Sequence, residues 1–166
     1  GEFTDEQMNQ LYNHSKIKAM VNLTKGEGFG RPLLEFSLTG KPIITTNWSG
    51  HTDFLKPKFT SLLKGNLTQI HSSAVVPNML IPESSWFSVD YMSVGVTLTN
   101  MFNNYGDFLK NSKHQALYSA SNFSFKNMKE KLDILLKQYI PNFPKAVELK
   151  LPNISKIELP KLKKIE

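Results

Sequence analysis

The sequence predicts an α/β fold: a parallel β-sheet flanked by helices, then further helices and an extended proline-rich strap. Three observations carry this. Apolar runs of strand length at 17–23 and 42–46 bracket a helix-length segment at 31–40. A glycine-rich loop at 24–30 joins the first run to that segment. That order of strand, loop, helix and strand calls for parallel strands joined by crossovers. Beyond residue 90, apolar residues recur at helical spacing. With 166 residues the chain fits one domain and can bury a real core.

Thr4-Asp5-Glu6-Gln7 reads as a capping box with acids in the first turn, opening a helix to about residue 15 with Met8, Leu11 and Tyr12 on one face. The run 17–23 is apolar enough for burial on both faces. Pro32 suits a first helical turn, where its missing N–H has no partner to lose. Leu33, Leu34 and Leu38 supply that helix's apolar side, and Gly40 suits its C-terminal cap. Residues 42–46 form the next buried strand, 47–53 a polar connection and 61–67 a further strand. Residues 71–88 have no assignable pattern, and Trp86-Phe87 reads as the anchor of a loop there.

Asp90 starts a helix to about residue 103, and Gly106-Asp107 punctuates before another to about 121. Ser124 caps a third, with Met128, Leu132, Leu135, Leu136 and Tyr139 as its apolar stripe. After Pro141, Pro144, Pro152 and Pro160 prevent a long helix while aliphatic residues continue, so 141–166 is expected to be an extended strap across a protein surface. No internal repeat is visible.

Composition narrows the class. The chain is 40% hydrophobic and 20% charged, as in ordinary globular proteins. No apolar run is long enough to span a bilayer, and no signal-peptide pattern opens the sequence. Zero cysteines exclude disulfides and thiol chemistry, and a cytoplasmic location is expected. Gly1-Glu2-Phe3 reads as a cloning scar, which leaves 4–140 as the folded domain and 141–166 as the tail. Asn-x-Ser/Thr triplets at Asn22, Asn47 and Asn66 are attributed to chance. The net charge of +6 is uneven: +1 over residues 1–83 and +5 over 84–166. A solvated lysine face on the late helices is the favoured reading, ahead of an anionic partner. The four histidines, at 14, 51, 71 and 114, show no metal-ligand spacing.

The segment with most to say about chemistry is 25–46. Glycines 26, 28 and 30 let the backbone turn tightly and approach a ligand. The helix after them is expected to present free N–H groups and its positive dipole end to a diphosphate. Glu27 lies between two of the glycines and Glu35 on the helix, eight positions later. Carboxylates beside a phosphate are unfavourable unless they bind hydroxyls, which sugars and ribose provide. Taken alone, such an acid pair fits a turn cap and an exposed helix residue paired with a lysine. The Gly-Phe-Gly turn at a strand's carboxyl end, where open α/β sheets bind ligands, shifts the balance toward a nucleotide sugar.

The stretch 11–55 resembles the C-terminal domain of GT-B glycosyltransferases, in the large retaining group that includes glycogen and sucrose synthases. Leu11-Tyr12, Glu27-Gly28-Phe29-Gly30, Pro32, Glu35, Gly40-Lys41-Pro42 and Ser49-Gly50 match the family pattern in order. Weaker similarity continues to about Leu136, including Asn122-Phe123-Ser124-Phe125 at the start of a late helix. The resemblance implies a partial Rossmann-like GT-B domain that binds a nucleoside-diphosphate sugar and needs no metal or other cofactor.

Residue by residue, it places Glu27 against the donor sugar as the catalytic-site acid. Gly28, Phe29 and Gly30 offer backbone N–H groups to sugar and diphosphate, Leu33 contributes main chain beside the phosphates, and Glu35 holds the ribose. Arg31 is a candidate for neutralising the diphosphate. The family's own phosphate-binding Arg and Lys lie well upstream of this motif, and only 26 residues precede Glu27 here. Asp53 stands where the family has Glu. The chain is therefore expected to be the C-terminal part of a larger enzyme whose upstream acceptor domain is missing, with the activity of this part alone left open. Two other functions compete: a nucleotide-sugar epimerase of the same fold, and a basic binding module. Against the latter, the lysine-rich tail lacks interleaved aromatics for stacking on nucleic acid.

Overall fold

A computed structural model describes residues 2–140. The expected strap, 141–166, lies outside the described residues. The chain divides into two compact units, Gly1–Lys131 and Leu132–Glu166.

Helix α1 (Asp5–Asn13) begins at the expected capping box. Thr4 Oγ1 accepts the Gln7 N–H at 3.2 Å, and Gln7 Oε1 accepts the Thr4 N–H at 2.9 Å. Its carboxyl end is held from outside: the Lys41 ammonium donates to the carbonyls of Tyr12 and His14 at 2.6 and 2.9 Å. A cation there also complements the helix dipole. No α1 residue is fully buried. Of its expected apolar face, Tyr12 packs edge-on against Phe36, with ring centroids 5.5 Å apart.

Strands β1 (Met20–Asn22), β2 (Ile43–Thr46) and β3 (Ser61–Leu63) form a parallel sheet in the order β1-β2-β3. Met20 pairs with Ile43, and Ile44 with Ser61. Helix α2 (Arg31–Ser37) lies between β1 and β2 in the chain. All four β2 positions are buried, as a central strand requires. Strand alternation then sorts its side chains between two clusters. Ile43 joins Leu33, Phe36, Phe54 and Leu55, whereas Ile44 joins Leu63, Val89, Val94 and Met101. Each such side chain contributes about 1.5–3 kcal/mol by leaving water.

Two expectations for these elements are corrected. The first strand is not buried on both faces: among the described residues β1 pairs with β2 alone, at the edge of the sheet, and Val21 is 45% exposed. On α2, Leu33 is buried and Leu34 packs half-buried against the same cluster as expected, but Phe36 completes the apolar side while Leu38 lies beyond the helix and is exposed.

The expected strand at 61–67 divides at Lys64. β3 ends at Leu63, and β4 (Gly65–Gln69) leaves the parallel sheet to pair antiparallel with β5 (Ser85–Val89). Trp86 and Phe87 thus belong to a strand rather than to the loop expected there. Gly65 permits the pairing, because a Cβ there would lie 2.2 Å from the Ser88 carbonyl oxygen.

Three helices follow: α3 (Tyr91–Asn103), α4 (Tyr105–Asn122) and α5 (Phe125–Tyr139). Asp90 caps α3 by accepting the Met92 N–H at 3.0 Å. The α3–α4 break falls at Asn104, whose side-chain amide reaches back to Asn100, and Gly106 sits inside the first turn of α4. Ser124 accepts the Asn127 N–H at 3.3 Å, as the expected cap of α5. The stripe Met128, Leu132, Leu135, Leu136 and Tyr139 is exposed. Among the described residues no helix is long and apolar enough to cross a membrane.

A buried amide fixes α4 to the turn after β2. Gln115, 2% exposed, donates from Nε2 to the Phe54 carbonyl at 2.8 Å and to Ser119 Oγ at 3.0 Å. Its Oε1 accepts the Lys56 N–H at 3.0 Å and the Thr60 hydroxyl at 3.3 Å. Ser37 Oγ, on α2, lies 2.8 Å from Ser119 Oγ and extends the network. Gln115→Met keeps the volume but strands a buried N–H and a buried carbonyl. Urea unfolding is expected to show a loss of about 2–4 kcal/mol, against less than about 0.5 for Gln10→Met on the exposed face of α1.

Candidate functional site

Connections that leave the carboxyl ends of β1 and β2 meet, and their contact shapes the candidate site. The Glu27 N–H donates to Ser49 Oγ at 2.7 Å, and the Gly50 N–H returns to the Glu27 carbonyl at 3.0 Å. The backbones are so close that a Cβ on Gly50 would lie 2.1 Å from the Gly28 carbonyl oxygen and 2.9 Å from Phe29 Cα. Gly30 is left-handed (φ 84°), and a Cβ there would meet His51 Cβ at 2.9 Å. Only glycine fits at either position.

Neighbouring side chains hold this arrangement. Ser49 has φ 76° and ψ −164°, a region that costs a non-glycine residue about 1–3 kcal/mol. His51 is fully buried, and its Nε2 lies 2.6 Å from the Thr46 carbonyl, so that nitrogen carries a proton and donates. The Phe29 ring packs on Phe54, centroids 5.2 Å apart, which ties the loop to the core. From the other side, Phe87 N–H donates to the Lys25 carbonyl at 3.1 Å, and the Lys25 ammonium sits 3.0 Å from the centre of the Trp86 ring.

The N–H groups of Gly28, Phe29, Gly30 and Arg31 find no acceptor among the described residues. Successive unpaired N–H groups in a turn are donors of the kind that bind an anion. The expected contribution of Leu33 differs. Its side chain is 1% exposed in the core, and its N–H, like that of Leu34, is taken by the Gly30 carbonyl, at 3.0 and 3.1 Å. The free donors lie in the turn and at Arg31, the first residue of α2, rather than further along the helix.

Glu35 lies one turn into α2, where Arg31 Nε donates to its Oε1 at 3.0 Å in a largely exposed pair. Both residues line an open cavity of about 730 Å³ between α1 and α2, together with Asn9, Tyr12, Asn13 and Thr39. Burial pushes the Tyr12 phenol above its ordinary value, and the Glu35 charge raises it further. Glu27, Gly28, Phe29 and Gly30 do not line this cavity. Arg31 is the residue common to the loop's donors and to the space beside Glu35. Among the described residues no cluster of three or more His, Cys, Asp or Glu could hold a metal ion.

Sequence reasoning missed the residues that fix the loop. Ser49-Gly50 carried a signal as a matched turn, but its role in orienting Glu27 depends on contact across 22 residues. His51 and Lys25 gave none, and Trp86 was read only as the anchor of a local loop, because its contact with Lys25 joins segments distant in sequence.

Gly50→Ala should force the two connections apart, lowering the unfolding free energy by about 2 kcal/mol or more in denaturant titration. The raised Tyr12 pKa sets a second expectation. A group whose proton is held more tightly in the folded chain stabilises the fold fully below its unfolded pKa, about 10, and loses that contribution as pH rises through the raised value. Glu35→Gln removes the second cause, so phenolate absorbance should appear at lower pH in that variant than in the wild type. No protein-family model matches the chain, and no curated protein matches it.

Proposed function

We propose that this chain is the donor-binding part of a retaining GT-B glycosyltransferase, acting on a nucleoside-diphosphate sugar. The run of unpaired N–H groups from Gly28 to Arg31, flanked by the carboxylates of Glu27 and Glu35, is the observation that carries this reading. A diphosphate suits the N–H groups and the Arg31 guanidinium. The ribose belongs beside Glu35, whose pairing with Arg31 through one oxygen leaves the other for sugar hydroxyls. The cavity there falls within the roughly 300–1,000 Å³ usual for small ligands, and Asn9, Asn13 and Tyr12 add donors and acceptors. Glu27 then takes the hydroxyls of the transferred sugar.

In the transfer, an acceptor hydroxyl oxygen bonds to the anomeric carbon as the bond from that carbon to the diphosphate breaks. The electron pair leaves with the diphosphate, and the hydroxyl proton passes to the departing phosphate oxygen. The turn's N–H groups and Arg31 stabilise the charge that develops on the leaving group. Glu27 and Glu35 act by holding the donor in one orientation.

Thermal shift with the diphosphates of uridine, guanosine and adenosine, and with their glucose conjugates, tests the assignment. At least one nucleotide should raise the melting temperature. Glu35→Ala should weaken free nucleotide and conjugate alike by about tenfold, the loss of one charge-assisted contact. Glu27→Ala should weaken the conjugate while leaving the free nucleotide nearly unchanged. Equal binding by wild type and Glu35→Ala would refute the assignment.

A further inference from the structure

Helix α5 carries an apolar stripe that the proposed donor site does not use. None of its residues is buried. At about 100° per residue, Phe125, Met128, Leu132, Leu135, Leu136 and Tyr139 all fall within an arc of about 100°. All six are exposed, Phe125 at 86% and Tyr139 at 72%. A surface helix ordinarily turns such an arc toward a core. A contiguous apolar face left in water marks an interaction surface.

The polar residues of α5 indicate which surface it fits. Lys129 and Lys131 stand at the two borders of the arc, and neither forms an ion pair among the described residues. Both acids of the helix, Glu130 and Asp133, lie more than about 100° from the middle of the arc. Glu130 is also paired with Lys126 at 4.0 Å. The arc is thus edged by cations and clear of carboxylates. Lys126 and Lys137 bring the helix to four lysines against two acids, and residues 141–166 add six lysines against three acids.

A nucleic-acid backbone would engage the lysines and leave the apolar arc in water. Two heptads are too few for a coiled coil with a second copy. A bilayer with anionic headgroups satisfies both parts: acyl chains receive the arc, and headgroup phosphates receive the lysines, whose aliphatic stems lie along its edges. We infer that α5 lies in the surface of an anionic membrane, its apolar arc inserted and Lys129 and Lys131 at headgroup level. The helix lies along the interface rather than across it, since 15 residues reach about 22 Å against a hydrocarbon core of about 30 Å. The inference goes beyond the donor reading and does not rest on it.

Flotation of the full chain with phosphatidylcholine vesicles containing about 30% phosphatidylglycerol, and with phosphatidylcholine alone, tests this. The chain should float with the first and bind the second at least about tenfold more weakly. Leu132→Gln combined with Leu135→Gln keeps charge and helix propensity, and should weaken binding to the anionic vesicles by about tenfold or more. Ile134→Gln makes the same change roughly 150° from the middle of the arc and should bind as the wild type does. All three side chains are exposed, so the variants should melt with the wild type. Failure of the wild type to float with anionic vesicles overturns the inference. So does binding that the Leu132 and Leu135 substitutions leave intact, which would be attraction of charge alone, and so does binding that Ile134→Gln weakens equally. A dimer that the paired substitutions dissociate, formed without vesicle binding, overturns it in favour of a second copy. The thermal response to nucleoside diphosphates should be the same in every variant, so membrane binding and the donor reading stand or fall separately.

Discussion

The site depends on one close backbone contact, that of Gly50 against Gly28 and Phe29. No side chain fits between the two connections, so their separation is set by main-chain atoms rather than by rotamers that could adjust. Reciprocal hydrogen bonds between Glu27 and the Ser49-Gly50 turn fix the register of that contact. The strained conformation of Ser49 is tolerated because the surrounding structure over-determines it, with His51 buried below and Phe29 anchored on Phe54. What remains unpaired, the N–H groups after Glu27, is available because the turn spends its other polar groups on this contact.

The buried sheet beneath makes the contact reproducible. β2 carries apolar residues to both faces, so α2 packs on one side and α3 on the other, with Tyr105 and Phe108 of α4 joining the α3 side. The Gln115 network adds direction that apolar packing lacks. It joins α4 to the turn that follows His51, and through Ser119 to α2, so the helix bearing Glu35 and the connection bearing Ser49 share one rigid support.

Local chemistry was legible in the sequence wherever it was complete within a few residues. Thr4 and Gln7 cap each other, Asp90 and Ser124 cap their helices, and Gly40 takes a left-handed conformation just beyond α2. The buried character of β2 followed from its composition alone. The division at Lys64 was hidden, because the identity of β4 is decided by β5, some twenty residues away. The break at Asn104 was displaced from Gly106 for a related reason: an asparagine amide turning back on Asn100 ends the helix where composition favours continuation. At the candidate site, the residue types of Glu27, Arg31 and Glu35 were readable. The side chains that orient them were not, since none is a sequence neighbour.

The hairpin's hold on the loop has an optical consequence. The Lys25 ammonium stands over the Trp86 ring, and the adjacent Phe87 amide grips the Lys25 carbonyl. A cation at that distance perturbs the energy of the excited indole. Any displacement of the glycine turn must carry Lys25 with it and alter the field at Trp86. The chain thus contains its own spectroscopic gauge of loop position, read from the emission wavelength of one of its two tryptophans without an added label.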